Sequence, residues 1–176
     1  SRRVSALKAV AFSVDGLHLR EWRGSDAEDM ARLFDTDEMN RWTPLPHPFT
    51  EAVAKDYVQQ AHAAKEHGTL QLAICADPDG PPLGEVLLFP AGHHVELAYA
   101  VGAAHRGQHL GSRALKAVLE RARHQGASRA VLTIAEDNYP SQATAAAAGF
   151  MKTDAPRKIR ERKGFVLTME TWEREL

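Results

Sequence analysis

The residues best placed to do chemistry in this chain of 176 residues lie between Val95 and Ser112. Val95-Glu96-Leu97-Ala98-Tyr99-Ala100-Val101 reads as a strand and Gly102-Ala103-Ala104-His105 as a short turn. Arg106-Gly107-Gln108-His109-Leu110-Gly111-Ser112 then runs into an amphipathic helix. A glycine-bearing loop that becomes the first turn of a helix offers unpaired backbone N–H groups at the positive end of the helix dipole. That is a seat for a phosphate or pyrophosphate, so a phosphorylated cofactor is the expected ligand. The Rossmann fingerprint is poorly met, because only Gly107 and Gly111 are present and an antiparallel meander precedes the loop. The phosphate loop of nucleotide triphosphatases needs Gly-Lys-Ser/Thr, which Gly111-Ser112-Arg113 does not supply.

The elements that must position this loop follow from periodicity. Phe12–Val14 and Leu17–Trp22 flank Asp15-Gly16 as strands joined by a tight turn. Ser25-Asp26-Ala27-Glu28 has the pattern of a capping box opening a helix that buries Ala27, Met30, Ala31, Leu33 and Phe34. After a proline-rich loop, Thr50 is the expected N-cap of a second helix, to about Glu66. Leu70–Cys75, Leu83–Phe89 and Val95–Val101 form an antiparallel meander, and the helix beyond the loop buries Leu110, Ala114, Leu115, Val118, Leu119 and Ala122 before stopping near Gly126. Arg129–Ala135 follows a helix and can lie parallel to Val95–Val101. A helix over Ser141–Ala148 and a strand over Phe165–Trp172 complete the order. The expectation is one domain over residues 12–176, with 1–11 a loose N-terminus.

Composition narrows the partners. Lys plus Arg number 22 against 23 Asp plus Glu, so there is no general attraction to nucleic acid or to an anionic membrane. The single cysteine, Cys75, lies in an apolar run, which fits a buried hydrophobe in a reducing compartment rather than a nucleophile. Ser1-Arg2-Arg3 lacks the uninterrupted apolar stretch of an export signal, since Lys8 breaks it and Asp15 closes it. A soluble, cytoplasmic protein is expected, as a monomer or a homodimer. Nine histidines invite a metal, but His93-His94-x-Glu96 matches no ligand spacing and no cysteine accompanies it, so no metal is expected.

Arg106-Gly107-Gln108-His109-Leu110-Gly111 resembles the Gln/Arg-x-x-Gly-x-Gly/Ala signature of the GNAT superfamily of N-acetyltransferases, with His109 where that signature has its first glycine. Asn138-Tyr139-Pro140-Ser141, followed by Gly149-Phe150, is similar to a second segment of the same superfamily. Trp42 through Thr50 and Glu96-Leu97-Ala98-Tyr99 resemble its Rim-type branch, which acts on ribosomal-protein N-termini and small amines. The resemblance implies an α+β fold, with a mixed and mainly antiparallel sheet splayed at the cofactor site. It implies acetyl-CoA as donor and a primary amine as acceptor, either a protein N-terminal α-amine or a small molecule. Backbone groups of Tyr99, Ala100 and Val101 would then hold the pantetheine. Arg106, Gly107, Gln108, His109, Leu110, Gly111 and Ser112 would hold the pyrophosphate, and Asn138 and Ser141 would flank the pantetheine arm.

The chemistry expected of such a site is direct attack of the amine on the thioester, without a covalent enzyme intermediate. An alkyl amine with a pKa of about 10 must first lose a proton. Glu96 is the leading acceptor of that proton, with Glu85 and Glu21 next; Glu85 and Trp42 are also expected beside the acceptor. Many members carry a tyrosine that protonates the leaving thiolate, at the position held here by Ala145. Ser141 or a water would take over, which a thiol of pKa about 8.5 tolerates. The basic run Arg157–Lys163 is expected to be a solvated loop, with an acidic acceptor or the 3′-phosphate of coenzyme A as alternative readings. Ala145 and His109 keep a different function open, that of a noncatalytic acyl-CoA-binding module.

Overall fold

The computed structural model describes residues 10–176. The chain enters through a hairpin, β1 (Ala11–Val14) and β2 (Leu17–Glu21), turned by Asp15 and Gly16. Both turn residues have positive φ, 49° and 75°, as a two-residue turn matching strand twist requires. Residues 1–9 of the expected loose terminus lie outside the described residues. Val10 and Ala11 are held: the Val10 N–H donates to Glu21 Oε2 at 2.7 Å, and Ala11 pairs with Arg20.

Helix α1 (Ala27–Phe34) begins otherwise than expected. Ser25 caps nothing; a 3-10 turn over Gly24–Asp26 precedes the helix, and the Asp26 carboxylate accepts the Arg23 N–H at 2.8 Å. The same carboxylate takes both terminal nitrogens of Arg20, at 2.8 and 2.9 Å, in a buried pair. A short helix α2 (Asp37–Trp42), in a stretch to which the sequence reading assigned no element, precedes the proline-rich loop. Thr36 starts the helix by accepting the Met39 N–H at 3.1 Å. Helix α3 (Glu51–Ala64) is capped as expected by Thr50.

The strands β3 (Leu70–Cys75), β4 (Gly84–Ala91) and β5 (His94–Val101) form the meander. They are followed by α4 (Leu110–His124), β6 (Arg129–Ala135), α5 (Tyr139–Ala147), β7 (Met151–Lys152), β8 (Lys158–Arg162) and β9 (Phe165–Glu175). The sheet order is β1-β2-β3-β4-β5-β6-β9-β7, with β8 also paired to β9. Every pairing is antiparallel except β5 with β6. The run Arg157–Lys163 is therefore mostly strand, and the expected loop is corrected. Lys163 and Gly164, with φ of 52° and 79°, make the same kind of turn as Asp15 and Gly16, and all five residues of β8 pair with β9.

Strand alternation sorts the side chains to two faces. Leu19, Leu72, Ile74, Val86, Leu88 and Leu97 pack with α4 and α5. Ala73 and Cys75 pack beneath α1 to α3 with Trp22, Met30, Phe34 and Phe49. Cys75 is buried, and that burial raises its thiol pKa, consistent with a core hydrophobe. Among the described residues no helix is long and apolar enough to cross a membrane.

Candidate active site

The parallel pairing of β5 with β6 covers only His94–Glu96 against Arg129–Val131. Beyond it β5 stays with β4 as far as Val101, while β6 stays with β9 as far as Ala135. The sheet thus opens into a V, and the edge of β5 from Leu97 to Val101 that faces β6 has no strand partner. This is the splay expected at the cofactor site.

Helix α4 starts at the mouth of the V. Its N-cap, His109, is left-handed at φ 56° and ψ 30°, and Gly107 has φ 88°. A histidine here adopts the backbone that a glycine would take without strain, which explains why the signature has glycine at this position. Thr36, Thr50 and Asn138 each cap their helices with a side-chain oxygen, but α4 has no side-chain cap and no acid in its first turn. The first-turn N–H groups of Leu110, Gly111 and Ser112 are therefore suited to an anion. The Ser112 hydroxyl turns inward to the His109 carbonyl at 3.1 Å, leaving its backbone as the group on offer. Gly111 allows close packing: a Cβ there would lie 3.0 Å from Thr144 Cγ2 and 3.3 Å from Tyr99 Cδ2. Gln108 is exposed. The Arg106 guanidinium pairs with Glu38 of α2, at 2.9 and 2.6 Å, and reaches the Val101 carbonyl at 3.4 Å.

Across the V, Asn138 accepts the Ser141 N–H at 3.4 Å and so starts α5. The Tyr99 hydroxyl lies 2.8 Å from the Ser141 carbonyl oxygen and 2.6 Å from its hydroxyl. Burial raises the Tyr99 pKa, against a smaller opposing effect of the Ser141 hydrogen bond, so the phenol stays protonated. Ala145 is fully buried in the core, and the one tyrosine of α5, Tyr139 at its first position, is 70% exposed.

On the opposite face the register places Glu85 beside Ala100 and Glu96 beside Phe89, with Glu96, Ala98 and Ala100 in one row along β5. Glu96 is exposed and stands at the last β5–β6 pair. Glu85 is 2% exposed; its oxygens accept the Trp22 Nε1–H at 2.7 Å and the Tyr57 hydroxyl at 2.6 Å. Burial pushes its pKa up to about 7, although both hydrogen bonds pull the other way. Glu21, on β2 two strands away from Glu85, is engaged by Lys65 at 2.9 Å. Trp42 packs with Ala135, Leu167, Met169 and Phe165, and Arg41 lies over the Trp42 and Phe165 rings at 4.7 and 5.5 Å. Arg41 also pairs with Asp137, next to Asn138, at 3.4 Å.

The structure thus gathers Tyr99, Val101, the 106–112 loop, Asn138 and Ser141 around the V. Glu85, Glu96 and Trp42 lie on the other face of the sheet. Sequence reasoning missed Tyr57, which it placed in the apolar stripe of α3, Trp22, which it placed in the first strand, and Glu38 and Arg41, which lie on a short helix it did not assign. Among the described residues no group of three or more His, Cys, Asp or Glu side chains is placed to hold a metal ion.

Solved structures share this fold over most of their length. Ribosomal-protein-S5-alanine acetyltransferase from Vibrio fischeri superposes with a TM-score of 0.79 at 19% identity, covering 94% of this chain and 96% of that one. RimJ from Mycobacterium smegmatis, in complex with CoA-disulfide, gives 0.77 at 20% identity, covering 95% and 86%. The microcin self immunity acetyltransferase MccE, in complex with acetyl-CoA and AMP, gives 0.81 at 19% identity, covering 93% and 94%. Among curated proteins none matches the sequence. The acetyltransferase (GNAT) domain family matches residues 16–151, from the β1–β2 turn through the V and α5 to the start of β7. With the splayed strands and the uncapped α4 in that span, the chain belongs to the GNAT acetyltransferase family and is an acyl-CoA-dependent acetyltransferase.

Proposed function

We propose that the chain transfers the acetyl group of acetyl-CoA to a primary amine, a peptide α-amine or a small-molecule amine, by direct attack. The observation that carries this reading is the V between β5 and β6, with the uncapped start of α4 at its mouth. An extended pantetheine amide laid along the free edge of β5 gains the hydrogen bonds a further strand would make. Its pyrophosphate then meets the N–H groups from Gln108 to Ser112, while Asn138 and Ser141 flank the arm. Val101 N–H faces the thioester oxygen as charge develops there. Arg106 serves this donor site from its pairing with Glu38, at the edge of the loop.

In the reaction the amine nitrogen bonds to the thioester carbon and the C–S bond breaks. Glu96 takes the amine proton. The thiolate is protonated from the Tyr99–Ser141 pair or from water. Glu85, through Tyr57, and Trp42 border the acceptor. The protein works in the cytoplasm without a metal, as a monomer or a homodimer. The test is thiol release from acetyl-CoA across a panel of N-terminal peptides and small amines. Acceptor-dependent release with at least one class supports the reading. Tight coenzyme A binding with no acceptor-dependent release replaces it with a noncatalytic acyl-CoA-binding module.

A further inference from the structure

The β8–β9 hairpin carries a charge pattern that packing of the fold does not consume. Lys158, Arg160 and Arg162 pair in register with Met169, Leu167 and Phe165, so all three cations stand on the sheet face that carries Trp42, on the acceptor side. At the base of the hairpin the basic residues are neutralised: Arg157 pairs with Glu136 and Glu170, at 3.4 and 3.5 Å, and Lys152 with Glu170 at 3.4 Å. Toward the tip, neither Arg160 nor Arg162 forms an ion pair with any described residue, and Arg162 Nε is buried without a hydrogen-bond partner.

Burial and the adjacent positive charge of Arg160 lower the pKa of the half-buried Arg162, so the two guanidiniums repel one another along the strand face. The hairpin is not loose: Lys163 Nζ donates to the Leu45 carbonyl at 2.8 Å, fixing the tip against the proline-rich loop that follows Trp42. Phe165, the register partner of Arg162, lies under Arg41, whose other partner is Asp137 beside Asn138. The cationic stripe therefore flanks the mouth of the V. In a chain with net charge −1, two adjacent unpaired arginines on one strand face are a local feature rather than a general basic character. A planar carboxylate matches them, because guanidinium binds it in a fork and relieves their repulsion.

We infer that the acceptor amine carries a neighbouring carboxylate, which Arg160 and Arg162 recognise. The inference rests on the acceptor reaching the V from the Trp42 side, as in the proposed reaction. The carboxylate has two sources, an acidic residue after a peptide N-terminus or the acid group of a free amino dicarboxylate.

The test compares acetylation of Ala-Asp-Glu-Ala amide with its isostere Ala-Asn-Gln-Ala amide, and of free aspartate with asparagine. The acidic member of at least one pair is expected to show kcat/KM at least tenfold higher. The pair that shows it identifies the source. In Arg160→Gln/Arg162→Gln that preference should collapse through KM, with kcat and the KM for acetyl-CoA within twofold and the melting temperature unchanged. Equal use of acid and amide by the native protein overturns the inference while leaving amine acetylation standing. A raised KM for acetyl-CoA in the double variant also overturns it, reassigning the stripe to the donor's 3′-phosphate. If no amine is acetylated, calorimetric titration of the coenzyme A complex with the same four compounds decides. Selective binding of an acid that the double substitution abolishes upholds the inference, and its absence overturns it.

Discussion

The Tyr99 hydroxyl stands 2.6 Å from the Ser141 hydroxyl, joining a strand on one side of the V to the first turn of a helix on the other. Ala145 stands where the resemblance places a tyrosine, yet the Tyr99 phenol of β5 reaches Ser141, on the flank of the proposed pantetheine path. Tyr99→Phe keeps the ring that packs on Gly111 and removes only the hydroxyl. If the pair protonates the thiolate, kcat should fall by roughly five- to tenfold, a modest loss because coenzyme A is a fair leaving group. The KM for acetyl-CoA should stay within twofold. A kcat equal to native assigns that proton to water.

Glu96→Gln should reduce kcat/KM for the amine by about a hundredfold at pH 7, the order typical of a lost general base. The deficit should narrow as pH approaches the pKa of the amine, because the acceptor then loses its proton unaided. Rates measured from pH 6 to 10 decide it. A native profile in the variant moves the role to another carboxylate.

Left-handed φ at His109 makes a backbone prediction independent of catalysis. A non-glycine residue there costs about 1–2 kcal/mol, and the entropy glycine loses on folding returns about 0.5–1. His109→Gly should thus raise stability by up to about 1.5 kcal/mol, at roughly 2–4 °C in melting temperature per kcal/mol for a chain of this size. His109→Val should lower it, since a branched side chain tolerates positive φ poorly. Valine melting no lower than histidine would refute the conformation assigned to α4's start.

Glu85 should make stability fall with rising pH. Its folded pKa of about 7 lies above the ordinary 4.5, so between those values the folded state holds the proton and the unfolded state releases it. Stability is full below about pH 4.5, declines up to about 7, and is flat above. The loss attributable to this group is at most about 3 kcal/mol. Glu85→Gln should flatten that decline in denaturant titrations run from pH 5 to 8. A decline of unchanged slope in the variant would show that the carboxyl is not its source.

Much of this was legible because it rests on local chemistry. The helix of Leu110–His124 follows from its apolar period, Thr50 announces its own cap, and the 106–111 and 138–150 motifs point to the proposed donor site. What escaped depended on distant partners. Ser25 looked like the cap of α1, but Asp26 answers to Arg20, a strand residue whose burial no local pattern declares. The Arg157–Lys163 run looked like solvated loop because strands disfavour charge; the Lys163-Gly164 turn and the length of β9 make it a strand. Glu85 gave no sign that Trp22 and Tyr57, separated from it by 63 and 28 residues, would converge on its two oxygens.

Helix α2 is six residues long, yet it grips both sides of the proposed donor site. Glu38 holds Arg106 on the α4 side, and Arg41 holds Asp137 on the α5 side. Each tether is an exposed ion pair, worth no more than about 1 kcal/mol. Two weak latches on one short crossbar thus span the proposed donor gap, each within reach of ordinary thermal motion without unfolding either wall.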